Sequence, residues 1–195
     1  MIESILLISQ TASLVALVLL YLQLQQKKKQ LSSLQRIDEA TQVLSKHALQ
    51  AELNQAFSAA KRYQLPLTLG IISFSELDLS NAKQLKQFKQ TAQHLKRLLR
   101  LTDCLGRYSD DTLMLALTHT NTHDARAVIE RIFNDVLKAI DTPVFVGISH
   151  VTGLTPNLKN LTECSQKALQ KAKDQGVSGV QYFTEETLPE ESPSN

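Results

Sequence analysis

The hydrophobic positions of this chain fall into three kinds of run. The first is continuous: Ile5 to Leu24 is dominated by Leu, Ile, Val and Ala, and Ser4 to Gln26 carries no charge. Wound as a helix, twenty such residues extend roughly 30 Å, the thickness of a bilayer's hydrocarbon core. The second kind is periodic. Leu34, Ile37, Thr41 and Leu44 recur at spacings of three and four, which predicts a helical stripe. The same spacing predicts a helix over Ala48–Arg62, with Leu49, Leu53, Phe57 and Ala60 on one face. It predicts another over Ala82–Leu101, with Leu85, Phe88, Ala92, Leu95, Leu98 and Leu99 inward. A helix over Asp124–Ile140 is capped by Asn121 or Thr122, and one over Leu161–Lys173 is stopped by Gly176.

The third kind is short and nearly unbroken. Leu67–Phe74 (LTLGIISF) has strand length and suits a strand covered on both faces. Cys104–Tyr108 and Thr112–Leu117 read as strands around a turn at Ser109–Asp110–Asp111, and Val144–Val151 and Val177–Phe183 as two more. The order α-α-β-α-β-β-α-β-α-β predicts one α/β (α+β) domain over 38–183 with a central sheet flanked by helices. A transmembrane helix (4–26) and a helical linker (27–37) precede it. An acidic tail, 184–195, follows and is expected to be disordered.

Charge sharpens the reading of the N-terminus. A cleaved signal peptide wants positive charge before its apolar run, whereas here the early charge is Glu3 and Lys27, Lys28 and Lys29 come after. A buried core helix is the other alternative. The positive-inside rule then leaves everything beyond Lys27 in the cytoplasm, where Cys104 and Cys164, without metal or CxxC spacing, stay as free thiols. A net charge of +2 selects no nucleic-acid partner. His47, His94, His119, His123 and His150 show no metal-binding spacing, and there is neither a G-x-S-x-G elbow nor a Walker A loop.

The element order and several short motifs together resemble the GGDEF family, whose active members are diguanylate cyclases. Asp38, Thr41, Val43, Ser45, Lys46 and Leu49 occupy the spacing of its opening D-x-LTGLxNRR stretch, and Arg62 with Pro66–Leu67 matches R-x-x-x-PL. Arg100 and Asp103 form R-x-x-D, followed by CLGRY and then SDDTL where the signature belongs. VIERIF and the series Ala168, Leu169, Ala172, Lys173, Gly176 match two later helices. The resemblance implies a fold close to the adenylate cyclase catalytic core and a bacterial inner-membrane protein with a cytoplasmic domain.

It also shows where the pattern breaks. The family takes its metal ligands from an Asp-x-Asp at the end of the first strand and from the signature. Here the first pair becomes Ser73 and Ser75, neutral oxygens where a hard dication wants anionic ones. The signature itself reads Ser109, Asp110, Asp111, Thr112, Leu113, so both glycines that let the backbone approach the nucleotide are gone. Asn81 and Lys173 match residues on the guanine edge and the phosphates, but the segment following Asn81 is several residues short. These departures imply a degenerate domain that is no enzyme and holds no metal or cofactor.

The R-x-x-D motif survives. In the family it binds a dimer of cyclic di-GMP, the Arg packing on guanine and the Asp accepting from its amine and imide groups. Arg131 falls where the family draws a second arginine, and Lys96, Arg97 and Arg107 are expected to add positive potential. A plain surface ion pair is the alternative for Arg100 and Asp103. Three functions follow. One is a membrane-anchored cyclic di-GMP receptor acting on a homodimer or membrane partner, in a system such as exopolysaccharide secretion or biofilm formation. Another is a ligand-free docking or dimerisation module, and the third a weak or partner-complemented cyclase.

Overall fold

A computed structural model describes residues 14–15, 17–25 and 35–184. The chain divides into two units, Met1–Arg36 and Ile37–Asn195. In the first, residues 17–25 are helical (α1) and exposed. Among the described residues no helix is long and apolar enough to cross a membrane. About half of the expected span over 4–26, residues 4–13, 16 and 26, falls outside them, as do 27–34 of the linker and 185–195 of the tail.

The second unit runs α2 (Lys46–Tyr63), β1 (Leu67–Phe74), α3 (Ala82–Leu98), β2 (Cys104–Ser109), β3 (Thr112–Thr118), α4 (Thr122–Ala139), β4 (Val144–His150), α5 (Leu158–Asp174) and β5 (Gly179–Tyr182). The strands form one mixed sheet in the order β2-β3-β1-β4-β5. All pairings are antiparallel except β4 with β5, which the α5 crossover makes parallel. β1 lies at the centre, and its eight positions are all buried, as its unbroken apolar run requires.

Helices cover both faces. Ile72 and Phe74 of β1 pack with Phe88, Ala92 and Leu95 of α3 and Ile129, Ile132 and Val136 of α4. Leu67, Leu69 and Ile71, on alternate positions, pack with Leu49 and Leu53 of α2 and Leu161 of α5. α5 approaches β4 most closely at Gly147, where a Cβ would land on the backbone N of Leu169 and O of Ser165. Two residues on, Ser149 Oγ donates to Leu161 O at 2.8 Å and meets Ser165 Oγ at 2.6 Å.

The helical stripe expected around Leu34–Leu44 is not a helix over its described part. Ile37 and Leu44 bridge across a turn, and Leu44 also bridges Gly106 on the β2 edge. The cause is Asp38, whose Oδ1 accepts from Thr41 N at 2.9 Å and Thr41 Oγ1 at 2.8 Å, an Asx-type turn that outcompetes helix. Gln42, at the glycine position of the LTGL pattern, keeps a left-handed backbone with φ 62°. Elsewhere the elements stand within a few residues of expectation. The largest shifts are of three residues: α3 ends at Leu98 instead of Leu101, and α5 starts at Leu158 behind an Asn157 cap instead of at Leu161.

Candidate functional site

The sheet places the two halves of the motif at opposite ends of one strand. β2 enters from the Arg100–Asp103 turn and leaves into the Ser109–Thr112 hairpin. Six residues of strand separate them by about 20 Å.

At the hairpin end, Ser109–Leu113 and the strand-end serines do come together. Ser73 pairs with Thr112 in the β1–β3 register, and Phe74 N donates to Asp111 O at 2.9 Å. Ser75 follows at once, its N–H donating to Pro143 O. Ser73 is fully buried, and its Oγ has no hydrogen-bond partner among the described residues. Asp111 Oδ1 accepts from Thr112 Oγ1 at 2.9 Å and Ser109 Oγ at 3.2 Å, so the hairpin's own hydroxyls hold that carboxylate. Leu113 is core. Asp110 stands at the tip and accepts from Arg107 Nη2 at 3.4 Å. Two hydroxyls and one hydrogen-bonded carboxylate do not fit a pair of divalent cations. Among the described residues no three His, Cys, Asp or Glu side chains converge.

Arg107 does not add the expected potential near Arg100, because it sits at the hairpin end of β2. There its Nη1 reaches both oxygens of Asp38 at 3.3 Å, and its Nε donates to Ser109 O. It ties the opening turn to the hairpin. Asn81 is the N-cap of α3, accepting from Lys83 N and Gln84 N. Lys173 lies in the last turn of α5, where a cation complements the helix dipole.

At the other end, Asp103 orders the turn. Its Oδ2 accepts from Arg100 N at 3.0 Å and its Oδ1 from Thr118 N at 3.0 Å, while Asp103 N donates back to Arg100 O. The Arg100 guanidinium is exposed and has no protein partner among the described residues, and the same holds for Arg131 on α4. The alternative reading of Arg100 and Asp103, a side-chain ion pair, finds no such contact among the described residues; the carboxylate bonds to the Arg100 backbone. α3 and α4 run antiparallel, tied by Gln87 to Asp141 and by His94 to Asp135, both at 3.4 Å. Continuing this register sets Arg131 opposite Leu98, two residues before Arg100.

A cavity of about 690 Å³ lies where β4, α5 and the end of β5 meet, with His150, Asn160, Leu161, Cys164, Lys167 and Phe183 among its lining. No sequence signal marked it, because its walls come from scattered positions on separate elements. His150 Nδ1 is 2.8 Å from Thr68 Oγ1, and its ring stacks on Tyr182. Burial, then the charge of Arg126, lower its pKa below the usual histidine value.

No curated protein matches the chain in sequence. The GGDEF domain of DgcB from Caulobacter crescentus, solved in complex with c-di-GMP, is 14% identical with a TM-score of 0.70, covering 76% of this chain and 93% of that one. The active GGEEF domain of a diguanylate cyclase from Vibrio cholerae is 19% identical with a TM-score of 0.67, covering 74% and 99%. The diguanylate cyclase SiaD from Pseudomonas aeruginosa, solved with its activator SiaC, is 18% identical with a TM-score of 0.68, covering 89% and 73%. At these identities the likeness shows the fold. The family model described as diguanylate cyclase, GGDEF domain matches residues 35–178, most of the chain, and the chain belongs to the GGDEF family.

Proposed function

We propose that this GGDEF domain binds cyclic di-GMP through Arg100, Asp103 and Arg131, does not synthesise it, and reports occupancy to a membrane partner through an N-terminal anchor over 4–26. One observation carries the reading. Asp103 holds the Arg100–Asp103 turn in place while leaving the Arg100 guanidinium exposed and without a partner among the described residues, two residues beyond Leu98, the position that the α3–α4 register sets opposite Arg131. A planar fork with free donors suits guanine edges and phosphates. Each Asp103 oxygen spends one lone pair on the backbone and keeps another for a guanine N–H. The solved DgcB domain carries c-di-GMP.

The absence of synthesis rests on the donor set. Joining two GTP molecules needs metal charge beside the triphosphate, and Ser73, Ser75 and a hydrogen-bonded Asp111 are poor ligands. Asp110 adds negative charge at the hairpin tip.

Calorimetry on the full chain in detergent tests the proposal. Cyclic di-GMP is expected to give saturable heat in the micromolar range, abolished by Arg100→Ala, and GTP with Mg²⁺ or Mn²⁺ is expected to give no product. No heat at tens of micromolar ligand overturns the binding claim, and product overturns the inactivity claim. The docking-module reading has its own support, since the backbone bonds of Asp103 account for the turn without a ligand. Partner binding that Arg100→Ala and added nucleotide both leave unchanged would favour it.

A further inference from the structure

The charges of this chain are unevenly placed. Between Leu79 and Thr102 stand Lys83, Lys86, Lys89, Lys96, Arg97 and Arg100, with no Asp or Glu among them. The whole chain carries only +2, so the remainder is net acidic. On α3 the residues Phe88, Thr91, Ala92 and Leu95 face the core. Lys83, Lys86, Lys96 and Arg97 are exposed, and Arg100 continues the row just past the helix end. Over 17 residues α3 extends about 25 Å. None of these six cations forms an ion pair among the described residues; the acids that α3 meets, Asp141 at Gln87 and Asp135 at His94, lie on its border with α4.

At the end of this row is Leu101, 103% exposed, a leucine with all of its side chain in water beside Arg100. A cationic row ending in a fully exposed aliphatic residue has the composition of surfaces that lie on anionic bilayers. There the cations meet headgroups and the apolar side chain enters the acyl boundary. Nucleic acid fits less well, because no aromatic residue stands on the exposed side of α3 to stack a base.

We propose that the exposed face of α3, with Leu101, docks on a bilayer of acidic phospholipid. It does not require nucleotide binding, although Arg100 is common to both surfaces. It draws on the anchor reading in one respect, that residues 5–24 keep a bilayer within reach of the same chain. The face would hold the domain against the membrane and bring Arg100, common to the row and to the R-x-x-D motif, to the headgroup level.

The chain contains no Trp, so Leu101→Trp gives a single reporter. Full chain carrying it is reconstituted in vesicles of phosphatidylcholine alone or of phosphatidylcholine with phosphatidylglycerol. Flotation with both kinds of vesicle first establishes the anchor, and failure to float with either overturns the anchor reading alone; with the chain anchored in both, a difference in emission belongs to the domain. The expected result is a blue-shifted emission, quenched by brominated acyl chains, in the anionic vesicles only. High salt reverses it by screening. Adding Lys83→Gln, Lys86→Gln and Lys89→Gln, which leave Lys96, Arg97 and Arg100 in place, removes the shift while calorimetry with cyclic di-GMP stays unchanged. Equal emission in the two lipids overturns the proposal, as does a shift that survives the triple substitution. So does an equal shift from poly-glutamate or duplex DNA in detergent, which reassigns the face to soluble polyanions. A second measurement needs no reporter: amine acylation of the unsubstituted chain should slow several-fold at Lys83, Lys86 and Lys96 on anionic vesicles, relative to Lys159 and Lys171. Unchanged labelling overturns the proposal independently.

Discussion

Asp103 accepts a hydrogen bond from the backbone N–H of Thr118 at 3.0 Å while its other oxygen accepts from Arg100 N. One carboxylate thus fastens the α3–β2 turn to the end of β3. This separates the two residues of the R-x-x-D motif as targets for mutation. Asp103→Ala strands two backbone donors at a half-buried turn and is expected to cost about 1–2 kcal/mol in urea unfolding without any ligand. Arg100→Ala removes an exposed guanidinium without a protein partner and should stay within about 0.5 kcal/mol of the parent. Loss of nucleotide binding in Arg100→Ala therefore reports on the ligand, whereas the same loss in Asp103→Ala also reports on the fold. Equal stability of the two variants would refute this division.

Ser73 is the buried hydroxyl of the strand end, its Oγ unpartnered between Thr112 and Phe145 in the register. Removing a hydroxyl that makes no hydrogen bond costs nothing and recovers a desolvation penalty, so Ser73→Ala should match or exceed the parent's stability. Ser73→Asp puts a carboxylate into the same closed space and should cost several kcal/mol at neutral pH. Burial raises the pKa of such an Asp, so its penalty shrinks as pH falls and the carboxyl protonates. Thermal melts of the three proteins across pH check both directions; a stable Ser73→Asp at neutral pH would mean that this strand end still accommodates charge.

The strands and most helices were legible because burial on two faces or one leaves its period in the sequence. Ile37–Leu44 was not. Its apolar spacing was helical by coincidence, and the Asp38 side chain, satisfying Thr41 N and Oγ1, decided the backbone locally. Arg107 was misplaced for a geometric reason: four residues in a strand run about 13 Å, enough to carry it from the Asp103 end to Asp38 and Asp110. The R-x-x-D spacing was legible, but not that Asp103 bonds to backbone and leaves Arg100 free. That depends on Thr118, a residue brought near only by the β2–β3 pairing.

Gly147 tests the seat of α5. A Cβ there meets the backbone of Ser165 and Leu169, which cannot swing aside as a side chain can. Gly147→Ala is expected to destabilise by about 3 kcal/mol or more and to loosen β5, which follows α5 in the crossover. Gly153, with nothing near its Cβ position, is the matched control. Gly153→Ala should unfold at nearly the parent's urea concentration; if the two variants behave alike, the close approach of α5 to β4 is not a constraint.

His150 gives the folded chain a dependence on pH whose sign follows from its surroundings. Its Nδ1 is bonded to Thr68, its Nε2 is closed from solvent without a partner among the described residues, and its ring lies near-parallel to Tyr182 at 6.4 Å between centroids. Arg126 sits 4.6 Å over that tyrosine ring. Burial, then the Arg126 charge, lower the His150 pKa in the fold. In the unfolded chain His150 takes up a proton as pH falls through about 6.5, while the folded chain resists until lower pH. The unfolded state then binds more protons, so stability is complete above about 6.5 and declines below it. His150→Gln should flatten that decline, and Arg126→Gln should lessen it by removing the second cause. Urea midpoints measured between about pH 8 and 5 decide the point: if the parent and His150→Gln fall in parallel, other groups set the slope and His150 does not.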